Sequence, residues 1–449
     1  MKQTVITALF MVLLSCSIAA QDSVTQPAYD QMVLNEGARL QGIITEETAQ
    51  QVRFQFIVRR PGVRTMVFEA LYERQDISSI TRASEPGRSA ARKYVEKLLN
   101  SNKREEEKIQ AIALSRTKWL EDEQEAWHYQ GPYFELLSNA RENLVRLVCV
   151  RLEAIFAAYV NTMGKRLTPD KPVRVVLFHT MAEFRSWQQK QSLSILNPAV
   201  YDARTATIYA GTELDQYASQ LQELNERHRK QLKELQELRK NIDKHFGGKP
   251  TATLARQMQQ LQQQLIALNS DNDVIFARLQ AAFFATLYHE AFHAYLDRWV
   301  YPADKYQVPR WLNEGLAQLF ENAFIEIDEL RLGRLDEERL KQIQDAVRQN
   351  RFMPLRELLL APPQLFFVKH TQENFESSRQ YDASWALAHF LTFDLKLMST
   401  PAMEEYVRPA PAGQEIKRFE KLVNMPLEKC ETQWKQYLLR LRPDGSLRP

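Results

Sequence analysis

The stretch ATLYHEAFHAYLDRWV, residues 285–300, constrains this chain more than any other. Its apolar residues recur at helical spacing, so it belongs on a helix that packs into a core. Yet it carries His289, Glu290 and His293 in its middle. Residues four apart on a helix project from one face, one turn apart. Two imidazoles so placed can reach a single metal ion at about 2.0 to 2.1 Å without distorting the backbone. Glu290 lies about 100° round the helix from His289. It would stand beside such an ion rather than on it, where a base can take a proton from water. The plainer alternative is a polar stripe on a partly exposed helix.

A catalytic zinc takes three protein ligands and keeps one position open. After a connector containing Pro302 and Pro309, the segment RWLNEGLAQLFE sets Leu312, Leu316, Leu319 and Phe320 at helical spacing. Glu314 falls on the first turns of that helix. A short reversal between the two helices would carry it opposite the histidines. An acid in a segment that packs beside HEAFH is costly unless it is paired or metal-bound. His289, His293 and Glu314 are therefore the expected ligands of one Zn2+ ion.

HEAFHAYL followed by PRWLNEGLAQLFE resembles the gluzincin branch of zinc metallopeptidases, in the clan that includes thermolysin and the aminopeptidases. The likeness is greatest to secreted bacterial peptidase-like proteins of unknown substrate with a WLNEGLA third-ligand helix, and it covers roughly residues 130–440. The resemblance implies zinc on His289, His293 and Glu314, Glu290 as general base, and a peptide or protein substrate. It also implies a strand at the cleft edge that holds an extended peptide, for which ARTATIYAG, residues 203–211, is the candidate. By the same resemblance Tyr381, in RQYDASWALAHFL, corresponds to the tyrosine that donates to the oxyanion, with His389 as the alternative. The plain alternative has Tyr381 capping its helix and His389 packed in the core. Two features depart from the pattern. Thermolysin-like enzymes carry an acid four residues after the third ligand to orient a histidine; here that position is Gln318, and the next acid is Glu321. A long insertion also precedes the metal helix.

That insertion reads as an antiparallel coiled-coil hairpin over residues 212–280. Leu214, Leu221, His228, Leu235 and Ile242 form one heptad seam, with Tyr217, Leu224, Gln231 and Leu238 on a second. Beyond GGKP, Leu254, Leu261, Leu268 and Ile275 make a further seam, with Met258 and Leu265 beside it. The expected fold class is α+β. A small SH3- or Sm-like antiparallel β-barrel spans residues 21–82 and a helical linker 83–126. A thermolysin- or aminopeptidase-like domain spans 127–449, its C-terminal part from 330 helical. The hairpin and the β unit are candidate surfaces for a protein partner.

The chain begins with MKQ, an apolar run TVITALFMVLLS and small residues CSIAAQ, a signal peptide over residues 1–20. The run is too short to cross a bilayer, which needs roughly 20 apolar residues. Cleavage after Ala19 or Ala20 implies a secreted, periplasmic or cell-envelope protein. LLSC also resembles a lipobox, with lipid anchoring at Cys16 as the alternative. Of the remaining thiols, Cys149 lies in an apolar helical run, and export leaves a Cys149–Cys430 bridge open. A net charge of +3 argues against a nucleic-acid partner, and 13 glycines with no GxGxxG or GxxxxGK[ST] argue against a phosphate cradle. The rival to a peptidase is a non-catalytic envelope binding or scaffold protein with a structural or vestigial metal site. Glu290 separates the two, because a structural site has no use for it.

Overall fold

The computed structural model describes residues 27–60, 62–120, 124–192, 197–245, 252–327, 329–333, 335–366 and 375–448. The expected signal peptide, with Cys16, Ala19 and Ala20, lies outside the described residues. Among the described residues no helix is long and apolar enough to cross a membrane. The chain is α+β and forms two compact units. One contains the chain up to Arg59 together with Thr65–Asn100; the other contains Arg60–Arg64 and Ser101–Pro449.

In the first unit β1 (Asp30–Leu34), β2 (Arg39–Glu47), β3 (Gln51–Val58), β4 (Met66–Glu73) and β5 (Ile77–Thr81) make one antiparallel sheet. Successive side chains alternate between its faces. Met32, Ile44, Val52 and Phe54 cluster on one. On the other, Ile43 meets Ala91 and Val95 of α1 (Glu85–Leu99). The expected barrel does not close: the strand order is β4-β3-β2-β1-β5, with β4 and β5 at opposite edges. A helix covers one face, so the sheet need not curl on itself to bury it.

The second unit starts with α2 (Ser101–Ala111), β6 (Ser115–Lys118), β7 (Glu125–Gln130), β8 (Phe134–Ser138) and α3 (Glu142–Met163). There follow β9 (Val173–Phe178), α4 (Met181–Lys190), β10 (Ala199–Asp202) and β11 (Thr207–Gly211). The six strands form a mixed sheet in the order β10-β11-β9-β8-β7-β6. β8, β9 and β11 run parallel, and the outer strands antiparallel. α3 covers one face, and Phe184 of α4 packs with Trp119 and Phe178 on the other. The run VRVVLF is nearly all buried, as a strand covered on both faces requires. One strand expectation is corrected. ARTATIYAG supplies the interior strand β11, and the edge strand is β10, four residues with too little alternation to announce themselves.

α5 (Leu214–His245) and α6 (Ala252–Tyr295) pack together as the inserted hairpin. Its seams differ from the expectation. Met258, Asn269, Asn272 and Phe276 are half-buried and Leu265 is buried. Leu261, Leu268 and Ile275 are 44%, 50% and 51% exposed. On α5, Leu221, Leu224 and Leu235 are half-buried and His228 is buried, its Nδ1 2.5 Å from Asn269 Oδ1, while Tyr217, Gln231 and Leu238 are exposed. A pair of helices covers one face of each, so the remaining seam faces solvent. The side chains of Ile242 and Leu254 lie outside the description.

α6 continues without a break into the HEAFH segment. Beyond it come α7 (Arg310–Phe320), the short β12 (Phe324–Glu326) and β13 (Glu329–Arg331), α8 (Glu337–Arg348), α9 (Leu355–Leu359) and α10 (Phe375–His389). The chain ends with α11 (Pro401–Tyr406), α12 (Glu415–Val423) and α13 (Leu427–Arg440). Cys149 and Cys430 are both buried and free, so the bridge left open by the sequence is absent. Both sit among apolar side chains of the unit's main core.

One half-buried acid lies away from α6 and α7. Glu153 of α3 accepts a hydrogen bond from the Tyr129 hydroxyl at 3.1 Å, and burial pushes its pKa up to about 7. A carboxyl raised in the folded state destabilises that state once it ionises. The cost is absent near pH 4.5, grows through pH 7 and is complete above it. Glu153→Gln, which keeps an acceptor for Tyr129, should therefore match the parent near pH 4.5. At pH 8 it should be more stable by about 1 kcal/mol, after allowance for the partial exposure of the group. Thermal denaturation at the two pH values measures the difference.

Candidate metal centre

The last turns of α6 are fastened by aromatic packing on the side away from the cleft. Phe292 stacks on Phe320 of α7 with ring centroids 4.9 Å apart, and Tyr159 of α3 packs against both. The Tyr159 hydroxyl donates to the carbonyl of Tyr288. α7 in turn lies close against α10. A Cβ on Gly315 would come within 2.3 Å of the Ser384 carbonyl oxygen, so only glycine permits this approach. With Gly315 turned to α10, Glu314 is about a quarter turn away on the same helix.

There it meets the histidines. His289 Nε2 lies 3.3 Å from Glu314 Oε2, and His293 Nε2 lies 3.5 Å from Glu314 Oε1. One ligand atom from each of the three residues falls within 4.8 Å of the others. The side chains are deeply buried, Glu314 at 2% exposure. The outward ring nitrogens are both engaged: His289 Nδ1 donates to Glu321 Oε1 at 2.6 Å and His293 Nδ1 to Asn313 Oδ1 at 2.8 Å. Such bonds fix which nitrogen faces inward and how each ring is turned.

The electrostatics follow. Burial pulls His293 down to about pKa 3, so its imidazole is neutral at physiological pH. With its proton on Nδ1, Nε2 points a lone pair at a carboxylate oxygen, two acceptors face to face. A divalent cation between them reconciles that arrangement, and the His2Glu donor set suits one. Burial also opposes charge on His289, but the carboxylates of Glu314 and Glu321 outweigh it and hold the ring above its ordinary value. Burial likewise opposes ionisation of Glu314. His293, His289 and Arg310, whose Nη2 lies 2.7 Å from Oε1, together hold the carboxyl well below the usual range.

Glu290 lies beside this cluster and outside it. Burial raises its pKa to about 7, and its Oε2 accepts the backbone N–H of Tyr201 at 2.7 Å. The Tyr201 hydroxyl donates to Asp297 Oδ2 at 2.6 Å, so edge strand β10 is tied both to α6, through Glu290, and to the turn that follows it. His289, Glu290, His293, Glu314, Arg310 and Tyr381 line one cavity of about 670 Å³ that Val200 and Tyr201 of β10 also border.

Tyr381 is thus brought to the cleft, where its hydroxyl donates to the Phe366 carbonyl at 2.6 Å. The alternative donor His389 is not. It is 3% exposed, its Nδ1 is 2.7 Å from the Tyr437 hydroxyl, and burial lowers its pKa to about 4. Gln318, at the position where thermolysin-like enzymes carry an acid, bonds the carbonyls of Glu314 and Tyr381 and accepts from Arg339. Glu321 orients His289 instead. It stands seven residues past Glu314, two turns along the same helix face, a signal present in the sequence. Asn313 carried no such signal.

Residues 283–400 match a known family. Its description is "Protein of unknown function (DUF1570)". The matched segment contains all of His289, Glu290, His293, Glu314 and Tyr381. No curated protein matches the chain.

The bonds to the outer ring nitrogens generate a prediction. If the cluster takes up a divalent cation, tested with added Zn2+, Asn313→Ala and Glu321→Ala should each weaken its binding by about 10- to 100-fold while the fold is retained. Competition with a chromophoric chelator gives the affinities, and circular dichroism checks the fold.

Proposed function

We propose that this chain is a metal-dependent peptidase of the gluzincin kind. The observation that carries the proposal is the convergence of His289, His293 and Glu314, with an uncoordinated acid, Glu290, beside them in a cleft edged by a β-strand. His289, His293 and Glu314 would hold the ion, and the two-histidine, one-carboxylate set favours zinc. When bound, the ion supplies Lewis acidity, which acidifies water and polarises a carbonyl.

The protein's own groups do the rest. Glu290 takes the proton of the attacking water and delivers it to the departing amide nitrogen. The N–H of Tyr201 orients its carboxylate for that task. Tyr381 donates to the oxyanion that develops at the scissile carbonyl. Burial and nearby carboxylates keep its hydroxyl protonated, and to act it must leave the Phe366 carbonyl for the substrate. β10 offers an edge along which an extended peptide can lie. Export by the N-terminal segment would place the activity in the cell envelope or outside it.

Glu290→Gln keeps the size of the side chain and an acceptor for Tyr201. It should lower hydrolysis of a mixed peptide library by at least about 10²-fold with zinc content unchanged. Tyr381→Phe should lower kcat by about 10²-fold and leave KM near the parent value. A Glu290→Gln protein as active as the parent removes the proposed mechanism. A zinc-loaded parent that cleaves no peptide favours the envelope-binding alternative, in which the same three ligands serve structure alone.

A further inference from the structure

On the other side of α6 and α7 from the metal ligands is a second cavity, of about 390 Å³. Phe292, Leu296, Leu316 and Phe320 form much of its wall, with Leu330 and Leu332 closing it. Leu296 and Tyr301 line this cavity and the metal cleft alike. Pockets for small ligands are of this size and character, mostly apolar with a few placed polar groups.

Three features mark it as more than a packing gap. The helices α6 and α10 that border it each end in a π-helical turn, Leu296–Val300 and Phe390–Asp394, and both turns contribute to its lining. A π-helical turn is wider than the α-helix it ends, which opens space beside it. Thr392, in the second turn, also lines the cavity. Its Oγ1 is buried with no hydrogen-bond partner among the described residues, a costly state that a ligand's acceptor would relieve. Lys396 joins it with a backbone φ of +54°, a left-handed conformation that side chains other than glycine rarely adopt. Ser399 completes the polar side, so all of it except the tyrosine hydroxyls comes from residues 392–399. Those hydroxyls are engaged elsewhere, Tyr295 with the Gly164 carbonyl and Tyr301 with Arg166.

A cavity with apolar walls and a polar side made by Thr392 and the exposed residues Lys396 and Ser399 matches a particular chemistry. We propose that it binds a single-chain amphiphile with an anionic head, the chain against Phe292, Leu316 and Phe320 and the carboxylate at Thr392 and Lys396. A cavity of this size falls within the range of small-ligand sites, the scale of a medium-chain fatty acid. This site does not depend on the peptidase proposal. Its shared wall, Leu296 and Tyr301, gives an occupant a route to influence the cleft.

The test is calorimetric titration of the full chain with decanoate below its micellar concentration. Saturable binding of one equivalent is expected. Lys396→Glu should weaken it at least about tenfold, as loss of a charged hydrogen bond does. Lys396→Gly should weaken it similarly while raising Tm of the ligand-free protein, because glycine relieves the left-handed backbone. Decyltrimethylammonium, with the same chain and the opposite charge, should bind at least about tenfold less tightly. The proposal is overturned if decanoate does not saturate, if the two amphiphiles bind alike, or if both Lys396 variants bind decanoate as the parent does.

Discussion

A carboxylate taken out of water is the most demanding group in this molecule. Glu314 is almost wholly buried, and an unpaired charge in that position would cost several kcal/mol. Two imidazoles and the Arg310 guanidinium surround it, and the imidazoles are themselves held from behind by Glu321 and Asn313. The arrangement depends on α6 and α7 keeping their spacing. Much of the surrounding structure maintains that spacing. The Phe292–Phe320 stack sets one side of the pair, and the close approach of Gly315 to Ser384 sets α7 against α10.

α6 serves two environments along its 44 residues. Its first half is an amphipathic arm paired with α5, with a row of leucines left to solvent. Its last turns, from Leu287 to Tyr295, are buried on nearly all sides, which is why polar residues there stand out chemically. Around these turns the protein places opposite environments on opposite faces. Carboxylates, imidazoles and an arginine face the cleft. Phenyl rings and aliphatic chains face the cavity behind it. Leu296, at the start of a π-helical turn, stands between the two.

The His289, His293 and Glu314 cluster was legible because each member carries a local signal. His289 and His293 meet by helical period alone, and Glu314 is conspicuous as an acid within an apolar helix. What escaped was everything that depends on the packing of separate elements. Asn313 looks like any polar residue on a first turn until α6 brings His293 to it. Gln318 occupies the place where an acid was sought, yet it turns to Tyr381 and Arg339. β10 is too short to show a period, and only its place at the end of the sheet makes it the cleft edge. The open first sheet and the outward-facing hairpin seam are failures of the same kind. In each, alternation or heptads identified the apolar face but not the element that covers it.

The amino-acid sequence by itself left the strands β6 and β10 and the open first sheet unmarked, but it marked the α+β class, the inserted helical hairpin, and His289, His293, Glu314 and Glu290 as a candidate group. These properties are local, set by rotation per residue and by which side chains can bear burial. Only the tertiary structure decided which partner each of those groups faces: Glu321 for His289, Asn313 for His293, Tyr201 for Glu290, Phe366 for Tyr381. The physical reason is that a hydrogen bond acts over about 3 Å, while its partners can be separated by dozens of residues along the chain.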